Sequence, residues 1–119
     1  MHRYDGPTKR VPLARLCWGR SGDKGDTANI GIIARRAEYL PFLRWVLTEA
    51  VVADWFAHAV EGHVTRYDLP GIHALNFVLT RALGGGGTTT LRIDSLAKSF
   101  AQQLLAMPID APAAWVADE

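Results

Sequence analysis

The sequence predicts an α+β fold: a two-layer sandwich in which an antiparallel sheet of about four strands carries two helical segments on one face. Three observations support it. Two short apolar runs precede residue 38, helical periodicity covers residues 38–58, and two further strand-like runs are followed by a second helical pattern after residue 94. Amphipathic helices cannot bury themselves alone, so both are expected to cover one side of the sheet.

The first two strands are predicted over residues 13–18 and 28–34. The second run alternates, with Ala28, Ile30, Ile32 and Ala34 on one face and Asn29, Gly31 and Ile33 on the other. The glycine-rich segment 19–27 lies between the runs. It is expected to be a connecting loop longer than a tight hairpin requires, and surplus loop length often accompanies function.

The first helical segment spans residues 38–58 and has two parts. Pro41 suits a first turn, and Thr48 can cap a second helix. Gly62 is expected to end this segment. The last helix follows Asp94 or Ser95, repeats apolar residues at Leu96, Phe100 and Leu104, and ends before Pro108.

The remaining strands are predicted at residues 64–69 and 73–79, separated by the turn signal Pro70-Gly71. His73 shares a face with Leu75, Phe77 and Leu79 and is interpreted as a core or edge histidine. The other face still carries apolar residues such as Ala74 and Val78. We therefore expect the open sheet face to meet another subunit in a homo-oligomer.

Composition indicates one globular domain over residues 1–119, with an ordered core at about 11–108 and loose tails. Hydrophobic residues make up 49%, charged residues 21%, and the net charge is +1. Scattered basic residues argue against a nucleic-acid partner. No apolar run is long enough for a membrane span or a signal peptide, which favours a cytoplasmic protein. Cys17 stands alone and is expected to be a buried, inert thiol.

The glycine-rich segment is also the main candidate site. It combines Arg20, Ser21, Asp23, Lys24, Asp26 and Thr27 with the glycines Gly19, Gly22 and Gly25. The spacing excludes three standard sites. Lys24 precedes a glycine and no helix follows, so neither a P-loop nor a dinucleotide fingerprint is present. Asp23 and Asp26 are spaced wrongly for an EF-hand.

The mixed charge leaves several chemistries open. Lys24 lies between Asp23 and Asp26 and suits an anionic or carbonyl oxygen. The carboxylates could bind a hydroxyl or amine, hold Mg²⁺ with waters, or act as a base. The alternative is a solvated hairpin whose side chains satisfy their own backbone. We therefore keep Asp23, Lys24 and Asp26 as catalytic candidates and leave the cofactor unknown.

Other residues are expected to contribute to ligand binding. The amide of Asn29 lies just after the segment, and backbone N–H groups from Gly85 and Gly86 in the run Gly84–Gly87 could converge on the same ligand if both loops lie at one end of the sheet. His58 and His63 have no third partner at a zinc-site spacing, so no metal site is predicted. No serine lies in a nucleophile elbow.

Several runs resemble the AtuA-like domain over roughly residues 12–108. They are residues 20–26 (RSGDKGD) with 29–31 (NIG), 64–67 (VTRY), 75–79 (LNFVL) and 82–86 (ALGGG). This family is the small ferredoxin-like C-terminal module of the acyclic terpene utilisation proteins. The resemblance implies a ferredoxin-like fold and a role in acyclic terpenoid or branched acyl-CoA catabolism. It also implies a larger domain, which here would be either a separately encoded subunit or dispensable.

Three functions follow as hypotheses. The first is an accessory subunit that binds a small anionic ligand between segments 19–27 and 84–90. The second is a lyase or hydratase in which Lys24 polarises a thioester carbonyl and Asp23 or Asp26 is the base. The third is a purely structural oligomerisation module.

Overall fold

The fold positions one sheet face against the core and leaves the other open. The computed structural model describes residues 6–57, 60–82 and 100–117, without the side chain of Asp23. In chain order the elements are β1 Thr8–Pro12, β2 Cys17–Lys24, β3 Thr27–Ala34, α1 Leu40–Val46, α2 Glu49–Trp55, β4 Val64–Leu69, β5 Ala74–Leu79 and β6 Pro108–Pro112. Residues 100–105 are also helical and are labelled α3, whereas the predicted start of this helix at Asp94 or Ser95 lies outside the described residues.

The predicted α+β architecture is confirmed. Four antiparallel strands lie in the order β2-β3-β5-β4. Alternate residues of the two central strands are fully buried, among them Ile30 and Phe77. The helices meet over this face: the rings of Phe56 and Phe100 are 5.2 Å apart, and the Trp55 indole N–H donates to the carbonyl of Gln103 at 2.9 Å.

The predicted helical segment is divided at Leu47-Thr48. The Thr48 hydroxyl accepts the Val51 N–H at 3.1 Å, so the predicted cap is confirmed. The expectation that Gly62 ends the segment is wrong, because α2 stops at Trp55. Gly62 instead donates its N–H to the carbonyl of Thr80 at 3.2 Å, beside the end of β5.

Arg66 joins the helices to the edge strand β4. One guanidinium nitrogen donates to the carbonyls of Arg44 at 2.7 Å and Leu47 at 3.0 Å, at the C-terminal end of α1. Its Nε lies 2.9 Å from Asp68, and its backbone N–H donates to the Glu49 carboxylate at 2.7 Å. A cation suits the carbonyl end of a helix, and the Glu49 contact covers an edge-strand N–H.

The segments on either side of residues 11–108 are not loose where the structure describes them. Thr8–Pro12 and Pro108–Pro112 pair as an antiparallel ribbon, with Arg10 opposite Asp110. Trp115 continues from this ribbon onto Tyr39, with ring centroids 4.4 Å apart. The sequence did not indicate this pairing because the two strands are nearly the whole chain apart and neither is strongly apolar.

The glycine-rich segment is not a long loop. β2 continues to Lys24 and β3 begins at Thr27, so only Gly25 and Asp26 form the turn. Gly25 has φ +63° at the first turn position, as a type II′ hairpin requires. His73 is not a core residue either, because it is exposed with φ 55° and ends the turn before β5.

Candidate ligand site on the open sheet face

The open face of the sheet is formed by the side chains that alternate away from the helices. The strand register arranges them in rows across β2, β3, β5 and β4. The rows are Trp18, Ile33, Ala74 and Leu69; then Arg20, Gly31, Asn76 and Tyr67; then Gly22, Asn29, Val78 and Thr65. Lys24 and Thr27 follow at the hairpin end.

The first row is apolar. Trp18 is 53% exposed and Ile33 is 45% exposed, while Ala74 is shielded between its larger neighbours. The guanidinium of Arg35 lies 4.7 Å from the centre of the Trp18 ring, and its Nε donates to the carbonyl of Ala14 at 2.9 Å. This cation–π contact orients the indole and leaves an apolar band at one end of the face.

The centre of the face is a hollow with two amides in it. Gly22 and Gly31 have no side chains, and beside them the Asn29 amide donates to Oδ1 of Asn76 at 3.2 Å. A Cβ at Gly22 would lie 3.1 Å from Oδ1 of Asn29, and a Cβ at Gly31 would lie 3.7 Å from Oδ1 of Asn76. The glycines therefore expose polar atoms that can still donate and accept hydrogen bonds.

The charge on this face is one-sided. Arg20 and Lys24 are exposed on β2, and Arg35 lies over Trp18 beside them. None of the described side chains in the three rows or in the Lys24–Thr27 pair is a carboxylate. Cations beside an apolar band and amide groups suit an anionic molecule with an apolar part.

The structure brings together only some of the predicted site residues. Arg20, Gly22, Lys24 and Asn29 share the open face. Ser21 faces the helices instead, where its hydroxyl oxygen accepts the Ala101 N–H at 3.4 Å. Strand alternation puts Ser21 and Arg20 on opposite faces of the sheet. This separation was not predicted, because the segment was expected to be a loop.

The three catalytic candidates do not share one place: Lys24 lies on the open face, Asp26 lies in the turn, and the side chain of Asp23 is not described. Asp26 is half-buried in the turn, and its carbonyl accepts the Ala82 N–H at 2.7 Å. Asp23 pairs with Ala28 in the sheet register, and its side chain lies outside the described part. Gly85 and Gly86 also lie outside the described residues.

Four further residues of the open face were not among the predicted site residues: Gly31, Asn76, Tyr67 and Trp18. Alternation alone puts Asn76 on the face opposite Leu75, so that signal was present. The register that places Asn76 beside Asn29 comes only from the pairing of β3 with β5.

The buried cysteine and a groove beside α1 lie away from the open sheet face. Cys17 is fully buried, as expected, and burial raises the pKa of its thiol from 9.0 to about 12. A groove of about 380 Å³ lies between α1 and the β1–β6 ribbon, lined by Phe42, Trp45 and Met107 among others.

The described ranges contain no cluster of three or more His, Cys, Asp or Glu side chains that could hold a metal ion. No helix in those ranges is long and apolar enough to cross a membrane.

Comparison with known proteins gives one match. The family model described as the AtuA ferredoxin-like domain matches residues 11–110, which is most of the chain. A search of curated proteins and a search of solved structures gave no match. The family match agrees with the four-stranded antiparallel sheet and with the resemblance in segment 20–31. The chain belongs to the AtuA ferredoxin-like domain family.

Proposed function

We propose that this chain is an accessory module that binds a small anionic molecule on the open sheet face and acts with a larger partner protein. The observation that carries the proposal is that Arg20 and Lys24 lie on the same sheet face as the Asn29–Asn76 pair. Gly22 and Gly31, which have no side chains, leave this part of the face open. Two exposed cations attract an anionic group, and the amides can fix its orientation by hydrogen bonds.

The ligand class follows from the two halves of the face. The cationic end suits a carboxylate or phosphate, and the apolar row with Trp18 suits an aliphatic body. An acyl-CoA ester or a branched or terpenoid carboxylate has both parts. Family membership supports this choice, since the resemblance implies a role in acyclic terpenoid or branched acyl-CoA catabolism.

A thermal-melt series tests the binding. The compounds are free coenzyme A, a branched acyl-CoA, the corresponding free acid and inorganic phosphate. A ligand at 100 times its Kd stabilises the fold by about 2.7 kcal/mol, which raises the Tm by more than about 5 °C. Lys24→Ala and Arg20→Ala should each reduce this shift.

Lys9→Ala is the matched control, because Lys9 is also an exposed strand lysine but lies on the β1–β6 ribbon. It should retain the whole shift. Binding on the open face is contradicted if no compound moves the Tm, or if Lys9→Ala reduces the shift as much as Lys24→Ala does. The larger partner protein is tested separately, by purifying the native protein and asking whether a second polypeptide accompanies it in fixed proportion.

A further inference from the structure

We propose that the open face is the contact between two copies of this chain, related by a two-fold axis that runs nearly along the strands. The inference goes beyond the proposed function and requires no ligand. It starts from exposure: Trp18, Ile33, Tyr67 and Leu69 are each at least 43% exposed on one face. A sheet face with this much apolar surface is typical of one that packs on another sheet.

The rows are complementary to themselves in this orientation. The two-fold axis places β2 of one copy over β4 of the other, and β3 over β5, so each row meets itself reversed. Trp18 then faces Leu69 of the second copy, and Arg20 faces Tyr67. In the centre, large and small residues meet in the pairs Ile33 with Ala74 and Gly31 with Asn76.

Size matching of this kind lets side chains from two sheets interdigitate at a spacing of about 10 Å. The hollow at Gly31 receives Asn76 of the second copy, and the shielded Ala74 leaves room for Ile33. In this arrangement the ring of Tyr67 from one copy would lie over the guanidinium of Arg20 from the other, a favourable cation–π geometry.

Repulsion between the cations of the two copies favours a two-fold axis along the strands over one that runs across them. Arg20 and Lys24 lie on β2 at one edge of the sheet. With the axis along the strands, the two β2 strands lie at opposite sides of the contact, about 14 Å apart laterally at a strand spacing of about 4.8 Å. That exceeds the Debye length of about 8 Å, so repulsion is weak. With the axis across the strands, β2 would lie on β2 and the cations would meet.

The area of the face is that of a weak, reversible contact. Four strands at about 4.8 Å and three rows at about 6.8 Å give a flat face of about 19 by 20 Å, or roughly 380 Å². This is below the roughly 600 Å² per partner at the lower end of standard specific contacts, so we expect the dimer to dissociate on dilution. This contact covers Arg20 and the Trp18 row and fills the hollow at Gly31, so the second copy competes with the proposed ligand for the open face. Only Lys24 and Asn29, towards the border of the contact, stay accessible in the dimer.

Sedimentation equilibrium without ligand measures the mass. The expected result is twice the 13.1 kDa of one chain. Ile33→Lys should give a monomer with an unchanged far-ultraviolet circular dichroism spectrum. Val51→Lys is the matched control, because Val51 is 39% exposed on α2 in the helical layer, and it should remain a dimer.

Cross-linking tests the orientation. Trp18→Cys and Leu69→Cys proteins are mixed and treated with a bis-maleimide whose spacer is about 10 Å, the distance between packed sheets. The mixture should give covalent dimers, and neither variant alone should, since like positions lie at opposite sides of the contact. Cys17 is buried in both variants and should not react.

A monomeric mass at all concentrations overturns the inference. So does a dimer that Val51→Lys dissociates and Ile33→Lys does not, since the helical layer would then be the contact. Cross-linking of either single variant alone, or none in the mixture, overturns the two-fold arrangement. Because the mass is measured without ligand, a failure here leaves the melt series on Lys24 unaffected.

Discussion

The side-chain amide of Asn29 donates to Oδ1 of Asn76 at 3.2 Å, diagonally between two central strands. Asn29 pairs with Val78 and Asn76 pairs with Gly31, so neither asparagine lies directly opposite the other. The glycines at positions 22 and 31 keep the space around this pair open. The relationship defines the hollow on which the proposed ligand site and the proposed dimer contact both depend.

Alanine substitution of the two glycines in the hollow, Gly22 and Gly31, should affect stability differently. Gly31→Ala adds a Cβ at an ordinary contact distance of 3.7 Å, and the loss of chain entropy in the unfolded state should make it neutral or stabilising by about 0.5 kcal/mol. Gly22→Ala places its Cβ 3.1 Å from Oδ1 of Asn29, so that side chain must move. Urea denaturation should show Gly22→Ala to be the less stable variant. Equal stabilities would show that Asn29 adjusts freely.

Gly62 should be the least replaceable glycine of the described chain. A Cβ at this position would overlap the carbonyl and hydroxyl of Thr80. Because backbone atoms would have to move, Gly62→Ala should lower the free energy of unfolding by about 1–3 kcal/mol. Gly71→Ala is the control, since nothing lies within 4 Å of its added Cβ. A Gly62→Ala protein as stable as Gly71→Ala would refute the packing described here.

Replacement of Arg66 should loosen α1 from the sheet. Lysine retains the charge but cannot bind both carbonyls of Arg44 and Leu47 while contacting Asp68. We expect Arg66→Lys to cost about 1–3 kcal/mol in urea denaturation, because the carbonyls of Arg44 and Leu47 at the end of α1 lose a charged donor that they share.

The exposed pair of Arg10 with Asp110 supplies the comparison for Arg66. Both side chains are more than 60% exposed, so Arg10→Lys should change stability by less than about 0.5 kcal/mol. If both variants lose the same stability, the carbonyl contacts of Arg66 contribute nothing beyond its charge.

The buried thiol of Cys17 should make stability fall at alkaline pH. Its pKa is raised from 9.0 to about 12, so between those values the unfolded chain releases a proton that the native protein keeps. This contribution to stability is complete below pH 9 and is lost as the pH rises towards 12. The slope is at most about 1.4 kcal/mol per pH unit.

Cys17→Ala should remove that slope while lowering stability at neutral pH through the lost packing. Denaturation curves between pH 7 and about 10.5 compare the two proteins. Parallel pH dependences would mean that the thiol does not remain protonated in the native state. Reaction of Cys17 with a thiol reagent at pH 8 without denaturant would contradict its burial.

Local patterns were sufficient for three of the six described strands, β3, β4 and β5, and for the helical cap. Residues 13–15 of the predicted first strand instead form a turn of 3-10 helix. The alternation of Ala28, Ile30 and Ile32 predicted the buried face of β3, and Thr48 was correctly identified as a cap. The extension of β2 to Lys24 was missed because glycines and charged residues have low strand propensity. Pairing with the strongly β-branched strand β3 overrides that preference.

The sequence by itself determined the α+β class, the two layers and the concentration of polar residues in segment 19–27, since these depend on short-range periodicity and composition. The family followed separately, from the resemblance of particular runs such as residues 20–26. Only the tertiary structure decided which of those residues share a face. Strand alternation sends Ser21 to the helices and Arg20 to the open side, and the β3–β5 register brings Asn76 to Asn29. The β1–β6 ribbon likewise joins Arg10 to Asp110, a pairing so distant in the chain that no local pattern specifies it.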